Sequence, residues 1–158
     1  MRILGIDPGF ERLGIAIVEK SNGQKDVVIF SECFKTSAKL TFSERLRLIG
    51  EEVKKIIKEY KPEILAIETL FLNTNQKTVM RVAEARGVVI YEATLAGLDV
   101  FEASPPQIKL ATTGYGKADK TQIDKMVKLL VKIDSTIKLD DEMDAIAIAL
   151  TGSAHIKF

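Results

Sequence analysis

The sequence predicts an α/β protein in which helices cover a mixed five-stranded sheet. Short apolar segments separated by turn residues fill the first third of the chain, a pattern typical of antiparallel strands with tight connections. Beyond them, helical patterns alternate with two further short apolar segments, the order that places parallel strands beside crossover helices. With 158 residues, of which 46% are hydrophobic, the chain is long enough for a single folded domain, predicted as residues 1–158.

Three predicted strands form an antiparallel meander at the start of the chain. The first covers residues 2–7 and ends at Pro8 and Gly9, which favour a turn. The second covers residues 13–18, and a Ser-Asn-Gly turn separates it from the third, at residues 27–34. Because these connections are short, consecutive strands are expected to lie side by side.

An amphipathic helix and a buried strand follow. Thr41 and Glu44 have the spacing of a capping box, and Pro62 marks the end of the helix. The apolar stripe of this helix consists of Leu46, Ile49, Val53, Ile56, Ile57 and Tyr60. Residues 64–68 are typical of a strand buried on both faces, and a strand reached across a helix is expected to lie parallel to a neighbour.

The segment from residue 75 to residue 95 predicts a helix that is apolar on more than one side. One stripe consists of Val79, Val82, Ala83, Gly87 and Ile90, and the other of Val88, Tyr91 and Leu95. Such a helix usually lies between two layers or at a subunit interface. Gly97 is expected to end it, and residues 99–102 predict a fifth strand.

The last third of the chain is predicted to be helical. Pro105 opens a short helix, and Asp119 caps a longer one that runs to Lys132. The inward residues of the longer helix are predicted to be Ile123, Met126, Val127 and Leu130. A final helix begins near Asp140 and continues through the apolar residues 145–150.

Composition limits the classes of function. Cys33 is the only cysteine, which excludes an internal disulfide and a cysteine zinc cluster. We expect a cytoplasmic protein with no membrane partner, because the N-terminus has no leader pattern and no segment has the roughly 18–20 uncharged residues of a membrane helix. The formal charge of +1 would become about +5 if metal neutralised four carboxylates, so composition permits a nucleic-acid partner without requiring one.

Two acidic residues stand at the ends of predicted strands. Asp7 ends the first strand and Glu68 ends the fourth. If these strands are parallel neighbours, both carboxylates meet at one edge of the sheet, where open α/β sheets bind ligands. Taken singly, Asp7 also fits an ordinary Pro-Gly turn, and Glu68 also fits a solvated strand end.

A second acidic pair opens the final helix. Asp141 and Asp144 are three residues apart and therefore share a helix face. Acidic residues in a first turn also stabilise the helix dipole, so a purely structural role fits them as well. Asp144 directly precedes an apolar run with no basic residue nearby in sequence, so it requires a compensating charge from elsewhere.

Together these oxygen donors favour a hard cation. Without a cysteine or histidine cluster, the expected metal is Mg²⁺, with Mn²⁺ as a substitute. Two such ions roughly 4 Å apart suit an in-line displacement at phosphorus. The residues alone therefore predict a metal-dependent phosphoryl-transfer site.

Several motifs, in this order along the chain, resemble the RuvC family of Holliday-junction endonucleases. They are Gly-Ile-Asp-Pro-Gly at residues 5–9, Ala-Ile-Glu at 66–68, Ala-Arg-Gly at 85–87 and Asp-Glu-Met-Asp-Ala at 141–145. Gln-Ile-Lys at residues 107–109 and Gly-Tyr-Gly-Lys-Ala-Asp-Lys-Thr-Gln at 114–122 are also similar to that family. The first motif alone is weak, whereas the ordered set covers almost the whole chain and is specific.

The resemblance implies an RNase H-like fold and a homodimer that makes paired nicks in opposite strands of a four-way DNA junction. The nicks would leave 5′-phosphate and 3′-hydroxyl ends, in homologous recombination and DNA repair. The family's catalytic and metal-binding acids correspond to Asp7, Glu68, Asp141 and Asp144. A branch-migration motor formed by RuvA and RuvB is the expected further partner.

The resemblance also implies DNA contacts. Basic residues near the cut phosphate correspond to Lys109 and Lys120, and the aromatic at the junction centre corresponds to Phe71. By residue type alone, an exposed Phe71 could stack on a base or anchor the next helix. Lys117 and Arg86 are further candidates, although Lys117 belongs to a basic helix side that could equally be solvated surface.

Three further functions fit parts of the sequence. The Gly-Ile-Asp-Pro-Gly turn also resembles the first phosphate loop of sugar kinases and actin-like ATPases, although those proteins duplicate this domain. The residues also fit an RNA-processing nuclease of the YqgF type, or a junction-binding protein that has lost its activity.

Two departures from the RuvC pattern matter: Thr69 and Leu70 differ from many family members beside the glutamate, and the C-terminal tail is short. Asp140 and Glu142 could substitute for Asp141 as ligands.

Overall fold

The computed structural model describes residues 1–70, 76–133 and 140–155. Strands alternate with helices along these residues in an α/β order. The elements are β1 (Arg2–Asp7), β2 (Arg12–Glu19), β3 (Asp26–Lys35), α1 (Phe42–Tyr60), β4 (Ile64–Glu68), α2 (Gln76–Leu95), β5 (Asp99–Ala103), α3 (Pro105–Thr113), α4 (Lys120–Leu130), β6 (Val131–Lys132) and α5 (Asp140–His155).

The described strands form one mixed sheet in the order β5-β4-β1-β2-β3-β6. The meander β1-β2-β3 is antiparallel, β4 lies parallel to β1, and β5 lies parallel to β4. These five strands are the predicted ones. The two-residue β6 adds a sixth, because the chain becomes extended after Leu130 and pairs in parallel with β3. The predicted continuation of α4 to Lys132 is therefore wrong, and Leu130 is 38% exposed rather than inward.

Helices cover both faces of the sheet because side chains alternate along the strands. In β1, Ile3 and Gly5 face α5, whereas Leu4 and Ile6 face the layer formed by α1 and α2. The α5 layer also receives Ile108 of α3 and Val127 of α4. Among the described residues, no helix is long and apolar enough to cross a membrane.

Glycine lets α5 approach the central strands closely. A Cβ atom on Gly5 would lie 2.2 Å from the Ala145 carbonyl oxygen, and one on Gly14 would lie 2.2 Å from the Asp141 carbonyl oxygen. Neither distance is possible for a real side chain, so both positions require glycine. The first turn of α5 is consequently held directly against β1 and β2, beside Asp7.

The predicted helix ends are largely confirmed. Thr41 and Glu44 form a complete capping box at α1, and Asp119 caps α4 with Gln122. Gly97 follows α2 in the left-handed conformation, with φ of 83°. These local hydrogen bonds explain why the helix starts could be located from short sequence patterns.

The packing of α2 differs from its predicted stripes. Its buried residues are Ala85, Val89 and Ala93, none of which belongs to either stripe. Tyr91 and Leu95 of the second stripe are 61% and 66% exposed. The fully buried face faces α1 and includes two alanines, whereas Val88 and Ile90 of the predicted stripes are half-buried against the same core.

Candidate active site

Asp7 and Glu68 lie next to each other at the carboxyl ends of two parallel strands. The register pairs Ile6 of β1 with Ile67 of β4, so the next residues are the two acids. Both point to the α5 side, because Asp7 alternates with Gly5 and Glu68 with Ala66, which belongs to that layer. The predicted meeting of the two carboxylates at one sheet edge is thus supported by the register.

The start of α5 brings further acids to this edge. Asp144 lies in a cleft of about 240 Å³ with Asp7 and Glu68. The remaining lining residues are Pro105, Ile108, Lys109, Lys120, Ile123, Ala147 and Ile148. Three of the four predicted acids and both family-implied lysines therefore share one cleft, whose other walls are mainly apolar.

Burial and mutual repulsion make Asp7 unusual. Desolvation, followed by the negative charges of Asp144, Glu68 and Asp141, raises the pKa of Asp7 to about 7. Desolvation and Asp144 also raise the pKa of Glu68, an effect that Lys109 partly offsets. A partly buried acid repelled by three others has the electrostatic environment expected where a cation binds.

The two predicted ligands on α5, Asp141 and Asp144, each have a basic partner. The Lys120 ammonium donates to Asp144 Oδ2 at 2.8 Å and lies 3.9 Å from Asp140. Lys120 thus supplies the compensating charge that the sequence demanded for Asp144. Asp141 pairs with Arg12 instead, and its carboxylate is not among the groups that line the cleft.

Asp141 is held by groups from two strands. Arg12 of β2 donates from Nε to Asp141 Oδ2 at 2.9 Å and also from a terminal nitrogen. The Cys33 thiol of β3 lies 3.5 Å from the same oxygen. Partial burial would raise the pKa of Asp141, but the Arg12 and Cys33 hydrogen bonds and the Arg12 charge lower it overall.

Arg12, like Cys33, contacts a predicted ligand and was not revealed by the sequence patterns. It lies 129 residues from Asp141 in the chain, and no local motif connects the two positions. The only signal was the strand alternation, which places Arg12 on the same face of β2 as Gly14, opposite Asp7 in the sheet. That signal identifies Arg12 only when the pairing of β2 with β1 and the position of α5 are known.

Two of the remaining DNA-contact candidates, Lys117 and Arg86, are not among the residues that line the cleft. Lys117 is exposed in the turn before α4 and does not line the cleft. Arg86 donates to the Glu68 carbonyl oxygen at 2.9 Å and forms an ion pair with Glu102. Its guanidinium therefore contacts the end of β4 and Glu102, and its side chain is 16% exposed. Phe71 lies outside the described residues.

The donor set suits a hard cation. Carboxylate oxygens from three elements surround the cleft, and Asp7 has no basic hydrogen-bond partner within the described chain. In that same part of the chain, no three acidic, histidine or cysteine side chains already converge on one metal position. Two of the acids are instead held by Arg12 and Lys120. The residues present fit a divalent cation once those two pairs open.

Known proteins with this sequence pattern identify the family. The family model for the crossover junction endodeoxyribonuclease RuvC matches residues 3–152. The chain belongs to the RuvC family. The RuvC of Thermosipho melanesiensis is 42% identical over 158 residues, all of both chains. That of Caldicellulosiruptor saccharolyticus is 45% identical over 150 residues, which are 95% of this chain and 90% of its own.

Solved structures agree with this RuvC assignment. A Thermus thermophilus RuvC in complex with a Holliday junction substrate superposes with a TM-score of 0.89 at 32% identity, covering 96% of this chain and 92% of that one. The yeast mitochondrial Holliday junction resolvase Ydc2 has a TM-score of 0.74 at 15% identity, which shows a shared fold. The fold is RNase H-like, as predicted, and the family match argues against a YqgF-type nuclease and an ATPase half-domain.

Proposed function

We propose that the chain is an endonuclease that resolves four-way DNA junctions by paired, symmetric nicks in opposite strands. The observation that carries the proposal is the shared cleft, in which Asp7, Glu68 and Asp144 meet Lys109 and Lys120. Carboxylates suit metal-assisted attack on phosphorus, and lysines suit the phosphate itself. Family membership and the junction-bound relative support four-way DNA as the substrate.

The proposed cofactor is Mg²⁺, two ions per site, with Mn²⁺ as a substitute. Asp7, Glu68 and Asp144 would hold the ions together with Asp141, after Asp141 separates from Arg12. The bound ions would supply an activated water and neutralise charge on the leaving 3′ oxygen. Nicks of this type leave 5′-phosphate and 3′-hydroxyl ends that need only ligation, which suits recombination and repair.

The protein's own residues have separate tasks in this proposal. Lys109 and Lys120 place positive charge at the wall of the cleft, where they can bind the phosphate and stabilise the charge that develops on it. Ile108, Ile123 and Ile148 exclude water from the floor, which strengthens these charge interactions. Ionisation of Asp7 is opposed by its surroundings, so a cation must replace its proton before the site is complete.

Symmetric cutting requires two sites, and we propose a homodimer formed through the outer face of α2. Met80, Gly87, Tyr91 and Leu95, spaced to lie on one side of the helix, make up this outer face. The three large side chains are 61–67% exposed. Apolar and aromatic groups arranged in this way are enriched in the cores of subunit interfaces.

The remaining partners follow from the same proposal. Phe71, three residues beyond Glu68, stays a predicted stacking residue for an unpaired base. RuvA and RuvB stay the predicted branch-migration partners, and the cytoplasm stays the predicted location, since a junction-resolving enzyme must share a compartment with its DNA.

Cleavage of defined substrates tests the proposed function. With Mg²⁺, the protein should nick a synthetic four-way junction at symmetric positions and leave a linear duplex of the same sequence intact. Cutting only an RNA–DNA hybrid, or hydrolysing ATP instead, would contradict the proposal. Junction binding without any nick under these conditions would favour the inactive binding protein.

A further inference from the structure

Asp141 and Arg12 form an ion pair that stands in the way of metal binding. Asp141 Oδ2 accepts hydrogen bonds from two nitrogens of Arg12 and is contacted by the Cys33 thiol. An oxygen so occupied has little lone-pair density left for a cation, and the adjacent guanidinium repels one. Metal ligation by this oxygen and the Arg12 contact therefore compete for the same group.

The local architecture favours this pairing. Arg12 and Gly14 are two residues apart on one face of β2, and Cys33 is the β3 partner of Gly14. Because Gly14 has no side chain, the first turn of α5 lies directly over it, and Asp141 comes within reach of both Arg12 and Cys33. The side chain of Arg12 is 47% exposed and can swing away without unpacking the core.

We propose that Arg12 is a positioning residue that competes with the metal for Asp141, so that metal binding opens the Arg12–Asp141 pair. This inference rests on the proposed function, in which Asp141 is a ligand. It explains why Asp141 does not lie with the other three acids in the lining of the cleft. It also means that part of the metal-binding energy is used to break an ion pair, which lowers the apparent affinity for the cation.

Binding of Mn²⁺ alone, without DNA, tests the competition. Free Mn²⁺ is counted by its electron paramagnetic resonance signal in titrations of the wild type, Arg12→Gln, Asp141→Asn and the double variant. Arg12→Gln should tighten Mn²⁺ binding by about three- to fivefold, which corresponds to the upper part of the range for a partly exposed ion pair. In the Asp141→Asn background the same change should have less than about a twofold effect, because no pair remains to be broken.

Three further measurements separate competition from general charge and folding effects. Arg47→Gln also removes one positive charge and breaks an ion pair, with Glu51 on the solvent side of α1, and should leave Mn²⁺ affinity within about twofold of the wild type. Arg12→Gln should lower the melting temperature in EDTA but not in saturating Mn²⁺, where the pair is already open. Arg12→Lys, which keeps the charge without the two-nitrogen fork, should bind Mn²⁺ with intermediate affinity.

The outcomes distinguish this inference from the proposed function. If Asp141→Asn weakens Mn²⁺ binding while Arg12→Gln leaves it unchanged or weaker, the competition is overturned and the ligand set stands. An equal gain from Arg12→Gln with and without Asp141 also overturns it, because the effect would then be a general charge effect. If Asp141→Asn binds Mn²⁺ like the wild type, Asp141 is not a ligand and the inference fails, whatever the junction-cleavage result.

Discussion

At the scale of single residues, the site is organised around one acid that resists ionisation. Asp7 is surrounded by the charges of three other acids, and its pKa is raised to about 7. Lys120 and Arg12 neutralise Asp144 and Asp141, but neither donates to Asp7. Asp7 is therefore the carboxylate whose ionised form gains most from a bound cation.

This arrangement predicts how stability depends on pH in EDTA. The unfolded Asp7 loses its proton near the ordinary pKa of about 3.9, whereas the folded one keeps it to about 7. Between these values the folded state binds more protons, so Asp7 makes folding less favourable as pH rises. Asp7→Asn removes this contribution and should stabilise the protein by up to about 4 kcal/mol at pH 8, and by much less at pH 4.5.

Denaturant unfolding of both proteins at the two pH values measures the difference. Adding Mg²⁺ at pH 8 should stabilise the wild type and have a smaller effect on Asp7→Asn, because the cation gains one carboxylate fewer. An Asp7→Asn variant that is no more stable than the wild type at pH 8 would show that the burial and repulsion at Asp7 are not significant.

The sequence could point to residues of the cleft where the reason lies in the residue's own segment. Asp7, Glu68 and Asp144 could be selected because each stands at the end of an apolar element, where a charge needs an explanation. Arg12 could not be selected, since its partner is 129 residues away. Arg86 could not be judged either, because its engagement with Glu68 and Glu102 depends on how α2 crosses the strand ends.

At the scale of elements, α5 determines the geometry of the site. It packs on Gly5 and Gly14 at distances that exclude any side chain, so its first turn is fixed against the strand that carries Asp7. Capping boxes and short strand patterns were predictable because they depend on neighbouring residues. The two-residue β6 was not, because it is too short for any periodicity and exists only through its pairing with β3.

The outer face of α2 is the proposed dimer contact, and a charge placed on it should disrupt the dimer. Leu95→Glu should shift the protein from dimer to monomer, because a charge on an apolar interface must be desolvated without a partner. Sedimentation velocity over a concentration series measures the change. Leu129→Glu is the matched control, since Leu129 of α4 is 61% exposed, close to the 66% of Leu95, and lies off this face.

Leu129→Glu should leave the sedimentation of the protein unchanged. A Leu95→Glu protein that sediments like the wild type, with unaltered circular dichroism, would assign the dimer contact to another surface. If the variant becomes monomeric as expected, the two nicks in a junction should also lose their coupling and appear on single strands. If Leu95→Glu loses dimer formation and cleavage together with its folded circular dichroism spectrum, the variant is misfolded.

At the scale of the whole molecule, a formal charge of only +1 has to serve an enzyme that acts on DNA. Three carboxylates line the cleft, where the proposed ions would neutralise them, and Lys109 and Lys120 lie at its wall. Metal binding would thus convert an acidic cleft into one that accepts phosphate. The fold class and the sheet edge that carries the site could be predicted from sequence. The link between metal binding and the charge of the cleft could not, because it depends on the relative positions of β2, α4 and α5.

Junction cleavage and junction binding, compared in the wild type and Asp7→Asn, test whether these acids form a metal-dependent nuclease site. Strand cleavage is measured on a synthetic four-way junction with Mg²⁺, and binding is measured on the same junction with Ca²⁺. Asp7→Asn should lose cleavage by at least about a hundredfold, while its Kd for the junction stays within a few fold of the wild type. Cleavage by Asp7→Asn at a rate near that of the wild type would contradict a metal-dependent site built on these acids.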